Sequence, residues 1–311
     1  MSIVSYTGFP QTPLSHLGIL AVHGPDARKF LNGQLSQDTN KLAADRVELA
    51  GLHNPQGRVI ALLRLVPVGT EDVLCVLPRA LLPATLATLR KYLLRAKATL
   101  MDESAHWLID GLAGDPALPA APGSARVEGS DILWRHAADG RVIRLQPIRD
   151  EIQSGRDFAD PALAAWQLAD LVAGLPELHE STRGEFVAQM LNLDALGGIS
   201  FTKGCYTGQE VIARAHYRGR VKRRAQRFRI LEGGPALQPG QKVRLIEGNA
   251  VRFAQIVNVA QGRKGIECLA VTSFDTSRTG ASGEASVSEV PLGDTPTIEV
   301  VGLPVSYVLP D

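Results

Sequence analysis

The sequence has few aromatic residues and no long apolar run, and the second of these absences argues against a membrane-spanning protein. Aromatic residues make up 5% of the 311 positions and include three tryptophans. No segment contains the roughly 18 uninterrupted apolar residues that a membrane-spanning helix requires. The N-terminus also lacks the basic start and apolar core of a secretory signal. We therefore expect no membrane partner.

Cysteine is also scarce, and its arrangement excludes a disulfide framework. Cys75, Cys205 and Cys268 are odd in number, far apart and not arranged as a CxxC pair, which suits a reducing compartment. The histidines have no metal-ligand spacing, and one strong cysteine cannot hold an iron–sulfur cluster alone, because such clusters usually take about four ligands. HExxH, GxSxG, P-loop and GxGxxG motifs are absent. We expect a cytoplasmic protein with no resident metal.

Neither sign of charge dominates the chain, because 33 lysines and arginines face 32 aspartates and glutamates, for a net charge of +1. This balance excludes a protein that is polycationic throughout. Apolar residues make up 45% and charged residues 21% of the chain, which is ordinary for a globular protein. A single core of this size would be near its limit, so we expect more than one domain.

The first part of the chain, residues 1–150, alternates strand-like and helix-like patterns in a mixed order that is typical of an α+β fold. Gly24-Pro25-Asp26 precedes an apolar helical pattern, and turn residues at 54–57 separate two strand-like runs. A helix is predicted over Leu81–Arg95 and a loop over Gly111–Gly129. The predicted strands are Leu49–His53, Arg58–Val66, Val73–Leu77, Trp107–Leu112, Ile132–His136 and Arg141–Leu145.

Residues 151–224 form the second part, and its clearest element is a helix that begins at Asp160-Pro161 and ends before Gly174. Trp166 lies off the apolar stripe of this helix. A tryptophan in that position is either the wall of a pocket or part of a second packing face. The stripe consists of Leu168, Leu171, Val172 and Leu175, and the neighbours of the tryptophan are Ala162, Ala169, Asp170 and Ala173.

The third part, residues 225–311, has short strand-like runs separated by glycine-rich turns. This pattern predicts a small antiparallel barrel at the C-terminal end of the chain. The predicted strands are Arg227–Leu231, Gln241–Ile246, Ala254–Val259, Ile266–Thr272 and Ile298–Val301.

The densest chemical signal surrounds Cys205. Thr207 and Glu210 have the spacing of a capping box, which predicts a helix that starts at Gly208. Cys205 would then lie near the positive end of the helix dipole, with Lys203 close in sequence, and both effects favour the thiolate. We therefore consider Cys205 and Lys203 candidate catalytic residues. The alternative is a buried structural cysteine in a glycine-rich turn.

A basic strip follows, with eight basic residues and no acidic residue between Arg214 and Arg229. Arg214 and Arg218 share one helix face, and Tyr217 and Phe228 are interleaved where they could stack on a base. Such a strip can hold RNA phosphates or the glutamate tail of a folate. The alternative is a solvated basic surface that pairs with carboxylates elsewhere. The eight residues are Arg214, Arg218, Arg220, Lys222, Arg223, Arg224, Arg227 and Arg229.

The segment KGCYTGQE, Lys203–Glu210, resembles the signature of the YgfZ family of folate-binding proteins. These proteins are related in fold to the glycine-cleavage T-protein, an aminomethyltransferase, and a mitochondrial branch acts in iron–sulfur protein maturation. The similarity extends over residues 192–224. Weaker similarity covers residues 30–38, 51–61 and 173–178, so the resemblance spans most of the chain.

The resemblance implies an α+β, T-protein-like fold of three domains around a central opening, the last a β-barrel, with boundaries near residues 150 and 224. It also implies that tetrahydrofolate binds in the opening and that Cys205 is needed for activity. Trp166 falls where some relatives have a folate-lining tryptophan, and Leu17 falls where a second one stands. Arg214 and Arg218 are the candidates for holding the rest of the folate.

Two positions depart from the family pattern. Many relatives have a glutamate that can hydrogen-bond the pterin two residues before the glycine of the AG-P segment, where this chain has Val172. The T-proteins also use an acidic residue after the strand that corresponds to Val73–Leu77, but no Asp or Glu occurs from Val73 to Leu100. Because aminomethyl transfer needs a charged group beside the folate amine, the absence of this acidic residue argues against aminomethyltransferase activity.

The resemblance therefore favours a tetrahydrofolate-binding accessory factor for the assembly or repair of iron–sulfur proteins, including those that modify tRNA. Its partners would be folate and iron–sulfur client or assembly proteins, with RNA as a further candidate. One alternative is a folate-dependent one-carbon transferase, and another is an RNA-binding module that uses the basic strip. Whether the protein is an enzyme is left open by the sequence.

Overall fold

Two five-stranded antiparallel sheets and a closed barrel make up the computed structural model, which describes residues 11–148, 161–219, 221–231, 235–273 and 295–309. The first sheet has the strand order β3-β4-β5-β2-β6. Its strands are β2 (Leu17–His23), β3 (Glu48–His53), β4 (Val59–Val68), β5 (Asp72–Pro78) and β6 (Thr99–Asp102).

Strands β2 and β5 are apolar on both faces because both faces of the first sheet are covered there. In β2, Leu20 and Val22 belong to a core shared with α1 (Ala27–Asn32) and α2 (Leu82–Arg90). Ile19 and Ala21 belong to a different core, which contains residues of the second sheet. The period of two along a strand therefore assigns alternate residues of one apolar run to two separate cores.

The second sheet has the strand order β1-β7-β10-β9-β8 and packs against the helix α3 (Pro161–Ala173). Gly174, with φ of +76°, follows the last residue of α3, as the helix-stop prediction requires. Asp160 lies outside the described residues. The strands of this sheet are β1 (Thr12–Pro13), β7 (Trp107–Leu112), β8 (Ala125–Glu128), β9 (Asp131–Arg135) and β10 (Val142–Pro147).

The predicted barrel is confirmed and closes in the order β11-β14-β13-β12-β15. Four of its strand pairs are antiparallel, but β15 runs parallel to β12. A closed ring of five strands cannot alternate direction throughout, so an odd barrel must contain at least one parallel pair. Its strands are β11 (Arg223–Ile230), β12 (Lys242–Glu247), β13 (Ala250–Gly262), β14 (Gly265–Ser273) and β15 (Thr297–Leu303).

The α+β class, the β-barrel and the strands named from the sequence are confirmed, and the differences are local. The predicted helix over Leu81–Arg95 ends at Arg90, and β8 lies inside the predicted loop Gly111–Gly129. The division into three domains stays a prediction. Within the described part of the chain, no helix is both long and apolar enough to cross a membrane.

The apolar stripe predicted for α3 is wrong in part, because this helix is packed on two sides. Trp166 joins the core of the second sheet, and Leu171 joins a core shared with the barrel. Leu168 and Val172 are only half-buried. The buried residues of α3 are Leu163, Trp166, Ala169, Leu171 and Ala173.

Candidate functional site

A cleft lies where the first sheet, the second sheet and α3 meet. It encloses about 630 Å³, including the part open to solvent. Leu17 on β2 and Trp166 on α3 both line it, so the structure brings together these two predicted ligand-binding residues. Arg64, His136 and Asp170 supply polar groups to the same cleft.

Trp166 is both a core residue and a wall of the cleft, because only 1% of its surface is exposed. Its ring lies so close to Gly111 that a Cβ at that position would be 2.5 Å from a ring carbon. The ring stacks on His136, with 5.6 Å between centroids, and the Arg141 guanidinium lies 4.5 Å from the centroid of the Trp166 ring. Packing on several sides therefore fixes this wall before any ligand arrives.

Asp170 follows Trp166 by four residues and carries a negative charge at the cleft. Its Oδ1 lies 2.9 Å from His136 Nε2 and 2.7 Å from the Arg141 guanidinium. Burial would raise the pKa of Asp170, but the charge of Arg141 and the contact with His136 outweigh it and hold the pKa well below its usual range. Asp170 is therefore ionised at neutral pH and acts only as a hydrogen-bond acceptor.

His136 complements this carboxylate as a neutral imidazole. Burial lowers the pKa of His136, although the charge of Asp170 acts in the opposite direction. Because an ionised carboxylate can only accept hydrogen bonds, Nε2 of His136 carries the proton that faces Asp170.

Arg64 brings a positive charge to the cleft from β4. Burial lowers its pKa, while the charges of Asp170 and Glu48 favour the charged form. Among the described residues, the guanidinium of Arg64 has no hydrogen-bond or salt-bridge partner within ordinary distances. A guanidinium has five donors, so Arg64 has donors to offer a ligand.

Sequence reasoning missed Arg64, His136 and Asp170 as site residues. A signal existed for Arg64, because it is the charged residue that interrupts the apolar run of β4. Asp170 also stood out as a neighbour of Trp166 on the helix wheel. Nothing in the sequence pairs His136 with Asp170, since 34 residues separate them.

Cys205 lies on the surface, outside the cleft. Its side chain is exposed, whereas Cys75 and Cys268 are buried, which excludes a buried structural cysteine at position 205. Burial raises the pKa of the Cys75 and Cys268 thiols to about 12. Cys205 is thus the one thiol of the chain that solvent reaches in the folded protein.

The helix after Cys205, α4 (Gln209–Tyr217), begins one residue later than predicted, and the capping-box prediction is wrong. Gly208 is the N-cap, with φ of +81° and no side-chain cap. A Cβ on Gly208 would lie 2.5 Å from the Asn54 carbonyl oxygen, so close approach to this turn requires glycine. The side chain of Glu210 instead pairs with Arg214 at 2.6 Å.

Lys203 points inward and anchors the signature segment to the end of α1 and the turn that follows it. Its Nζ donates hydrogen bonds to the carbonyl oxygens of Asn32 and Leu35, the latter at 2.6 Å. It also lies 4.8 Å from the centroid of the Tyr206 ring. Burial lowers the pKa of Lys203 to about 8, against the opposing charge of Asp38. These contacts make Lys203 an anchor, and its predicted effect on Cys205 stays a prediction.

The predicted basic strip is divided in two by its surroundings. Arg224 is buried and makes a bidentate salt bridge to Asp194, with both distances 2.8 Å, and Arg227 pairs with Glu267. Phe228 is buried in the barrel core, so the prediction that it stacks on a base is wrong. Part of the strip therefore pairs with carboxylates, as the alternative expects, but these pairs are buried or largely buried and do not form a solvated surface.

The exposed part of the strip lies around the C-terminal end of α4. Arg214 and Arg218 are exposed there and do not line the cleft. Tyr217 is 66% exposed, and Lys222 and Arg223 are exposed nearby in sequence. In the part of the chain that the structure describes, Arg218, Lys222 and Arg223 have no carboxylate partner. Arg220 lies outside the described residues.

Among the described residues, no group of three or more His, Cys, Asp or Glu side chains is arranged to hold a metal ion. No family model matches the chain. A solved structure with a similar fold is the glycine cleavage system aminomethyltransferase T from Bartonella henselae, with a TM-score of 0.59 and 14% identity. The similarity covers 85% of this chain and 78% of that one. The fold is therefore that of the aminomethyltransferase T-protein class.

Relatives at the sequence level are more specific. The chain is 34% identical over 244 residues to the tRNA-modifying protein YgfZ of Edwardsiella ictaluri, covering 69% of this chain and 72% of the relative. It is 32% identical to the YgfZ protein of Serratia proteamaculans, covering 68% of each. An uncharacterized protein of Haemophilus influenzae is 34% identical over 70% of this chain and 72% of its own. The chain belongs to the YgfZ family, as its signature predicts.

Proposed function

We propose that this protein binds tetrahydrofolate in the cleft and acts as a cytoplasmic accessory factor in the assembly or repair of iron–sulfur proteins, including those that modify tRNA. The observation that carries the proposal is the cleft itself, where Trp166 lies beside the charged groups of Arg64 and Asp170. Two further observations support the proposal. Relatives of the chain are named tRNA-modifying proteins, and its fold resembles that of a T-protein.

The residues of the cleft fit a folate. A pteridine needs a flat apolar wall, which Trp166 and Leu17 provide, and polar groups that fix its orientation. Arg64 and Asp170 provide groups of both signs. The folate would supply a one-carbon carrier, and these residues would bind and orient it.

Cys205 would interact with a macromolecular partner and not with the folate in the cleft. Its thiol is exposed and the signature segment does not line the cleft, so a macromolecular partner can reach Cys205 while folate is bound. In this proposal Cys205 acts as a thiolate, either as a transient ligand for a client's cluster or sulfur or as a redox partner. Lys203 and Gly208 hold the segment that presents it.

RNA is a second candidate partner, favoured by the exposed cations beside Tyr217. An exposed aromatic ring among arginines and lysines is the arrangement that binds single-stranded nucleic acid by stacking and charge. The candidate is narrower than the predicted strip, since it depends on Arg218, Lys222 and Arg223. A one-carbon transferase is less well supported, because no acidic residue follows β5 up to Leu100.

The proposed function is tested in cells that lack the protein and are complemented with variants. We expect Cys205→Ala to lose support of a cluster-dependent tRNA-modifying enzyme, measured as the modified nucleoside in total tRNA. The matched control is Cys75→Ala, a buried cysteine outside the signature, at equal protein levels. Full activity of the Cys205→Ala strain would contradict the role of this thiol.

A further inference from the structure

The C-terminal end of α4 presents an aromatic ring that two other rings hold in place. Phe201 and His216 stack on each other, with 3.7 Å between ring centroids and 13° between their planes. Tyr217 lies nearly perpendicular to both, with its centroid 4.7 Å from that of His216 and 6.1 Å from that of Phe201. These contacts join the chain just before the signature segment to the last turn of α4 and fix the Tyr217 ring before any partner arrives.

Tyr217 nevertheless presents most of its surface to solvent, with 66% exposed. The three centroid distances place Phe201 and His216 in nearly the same direction from Tyr217, so these contacts cover only one side of it. Covering an exposed aromatic face with a second flat ring is favourable. Tyr217 is therefore a preformed platform on which a flat aromatic group can stack.

Three cations follow this platform in the chain, and all three are exposed. Within the residues that the structure describes, none of them has a carboxylate partner, whereas Arg214 on the preceding turn pairs with Glu210. The folded protein therefore leaves their positive charges to solvent or to a partner. We call the platform and these cations the Tyr217 surface, which consists of Tyr217, Arg218, Lys222 and Arg223.

We infer that the Tyr217 surface binds a single-stranded loop of RNA, with one base stacked on the tyrosine ring and backbone phosphates on the three cations. Stacking requires a base whose face is free, and a duplex covers both faces of each base except at its ends. The combination of an aromatic platform and a positively charged surface is typical of single-strand binding. This inference rests on the proposed function, in which RNA is the second candidate partner, and it names the kind of RNA and the residue that stacks.

The assignment predicts that affinity depends on strandedness and salt more than on base sequence. Every base has a flat face, so stacking on one tyrosine discriminates little between bases. Each phosphate contact on a single strand contributes about −0.7 to the slope of log affinity against log salt concentration, so three contacts give a slope of about −2. An acidic protein segment would match the charge of the RNA but would offer the ring no base.

The test is fluorescence-anisotropy titration of the wild-type protein, without folate, with a labelled single-stranded RNA of roughly 12 nucleotides. The comparison ligands are the same RNA annealed to its complement and a polyglutamate peptide of equal charge. We expect the single strand to bind about tenfold more tightly than either, with the salt slope given above. Equal affinity for the duplex would overturn the assignment to single strands, and equal affinity for the peptide would overturn the assignment to nucleic acid.

Failure of this inference is distinguishable from failure of the proposed function. A wild-type protein that binds no RNA at low salt would overturn the inference and leave folate binding and the role of Cys205 as they stand, because neither enters this titration. Loss of folate binding or of the Cys205 phenotype would overturn the proposed function without changing the RNA titration.

Two substitutions of Tyr217 isolate the stacking. Tyr217→Ala should weaken RNA binding about tenfold, because stacking of a base on an aromatic side chain is worth roughly that much, and should leave the salt slope unchanged. Tyr217→Phe keeps the ring and should bind RNA as wild type does. The matched control is Tyr92→Ala, which removes a tyrosine that is 42% exposed and lies just after α2. Equal RNA affinity in Tyr217→Ala and Tyr92→Ala would overturn the stacking role.

Discussion

The ring of Trp166 lies directly on Gly111, so that a β-carbon at position 111 would be 2.5 Å from a ring carbon. This contact joins a strand of the second sheet to the helix that carries Asp170. Gly111 has no positive φ, so its backbone conformation does not require glycine. The Trp166 ring does, because it leaves no room for a β-carbon. The position of the cleft wall is therefore set by a residue that does not line the cleft.

Gly111→Ala should displace Trp166 and weaken folate binding. Overpacking of this kind costs about 1–3 kcal/mol of unfolding free energy, and the shift of the ring should lower affinity as well. Chemical denaturation and calorimetric titration measure the two effects. Gly114→Ala is the matched control, because its nearest atom would be 3.4 Å from the new Cβ. An unchanged affinity in Gly111→Ala would show that the ring position does not matter for binding.

His53 should make the protein lose stability as the pH falls. It is buried beside Tyr206, and neither ring nitrogen has a partner among the described residues. Burial, with a contribution from the charge of Lys203, lowers its pKa to about 3 from an ordinary 6.5. Between pH 6.5 and about pH 3 the unfolded chain binds a proton that the folded protein does not. Each unit by which the pH falls in this range therefore lowers the unfolding free energy by about 1.4 kcal/mol.

Denaturation of wild type and His53→Gln between pH 7 and pH 4 measures this slope. We expect the variant to have the smaller dependence on pH, whatever its stability at pH 7. His106→Gln, a change at an exposed histidine, should leave the slope as it is in the wild type. Identical slopes for wild type and His53→Gln would be inconsistent with a histidine that is neutral in the folded protein.

One thiol should react quickly in the native protein and three after unfolding. Cys205 is exposed and the other two cysteines are buried, so a thiol reagent such as dithionitrobenzoate should report one equivalent before denaturant is added. Cys205→Ser should abolish this fast equivalent. A second fast thiol, or a fast thiol that persists in the variant, would refute the difference in exposure.

Lys203→Met should loosen the signature segment. The change removes hydrogen bonds to the carbonyl oxygens of Asn32, the last residue of α1, and of Leu35 in the turn that follows, each worth roughly 1.5–3 kcal/mol for a charged donor. Thermal denaturation measures the loss, and the rate of Cys205 alkylation against pH tests the predicted effect on the thiolate. Lys203→Arg keeps the charge and serves as the control. If Lys203→Met matches wild type in stability, Lys203 is not an anchor.

The two halves of the basic strip should respond differently to substitution. Arg224→Met leaves Asp194 buried without its partner, which should cost about 3–5 kcal/mol of unfolding free energy. Replacing Arg218, Lys222 and Arg223 with glutamine should leave stability unchanged and reduce tRNA affinity in a salt-dependent manner. Gel-shift titration at two salt concentrations tests the second effect. Equal tRNA affinity in the triple variant would exclude this surface as the RNA site.

Local patterns predicted most of the strands because alternation and turn residues act within a few positions of the chain. The sequence also singled out Trp166 and Cys205. It could not show that Arg64 and Asp170 face one cleft, because their proximity depends on how the first sheet and α3 meet in the folded protein. The start of α4 was also not predictable from local sequence. Thr207 and Glu210 have the spacing of a capping box, but the helix instead begins after Gly208, which packs closely against Asn54. Tertiary contact decided both positions.

Folate binding in the cleft is tested most directly by calorimetric titration of wild type, Trp166→Leu and Trp134→Leu with 5-formyltetrahydrofolate. Both tryptophans are 1% exposed, and only Trp166 lines the cleft, so the two variants lose comparable core packing. We predict that wild type and Trp134→Leu bind the folate with similar affinity and that Trp166→Leu binds it about tenfold more weakly, because the packed wall of the cleft is lost. Equal affinity for all three proteins, or no binding by the wild type, would contradict the account.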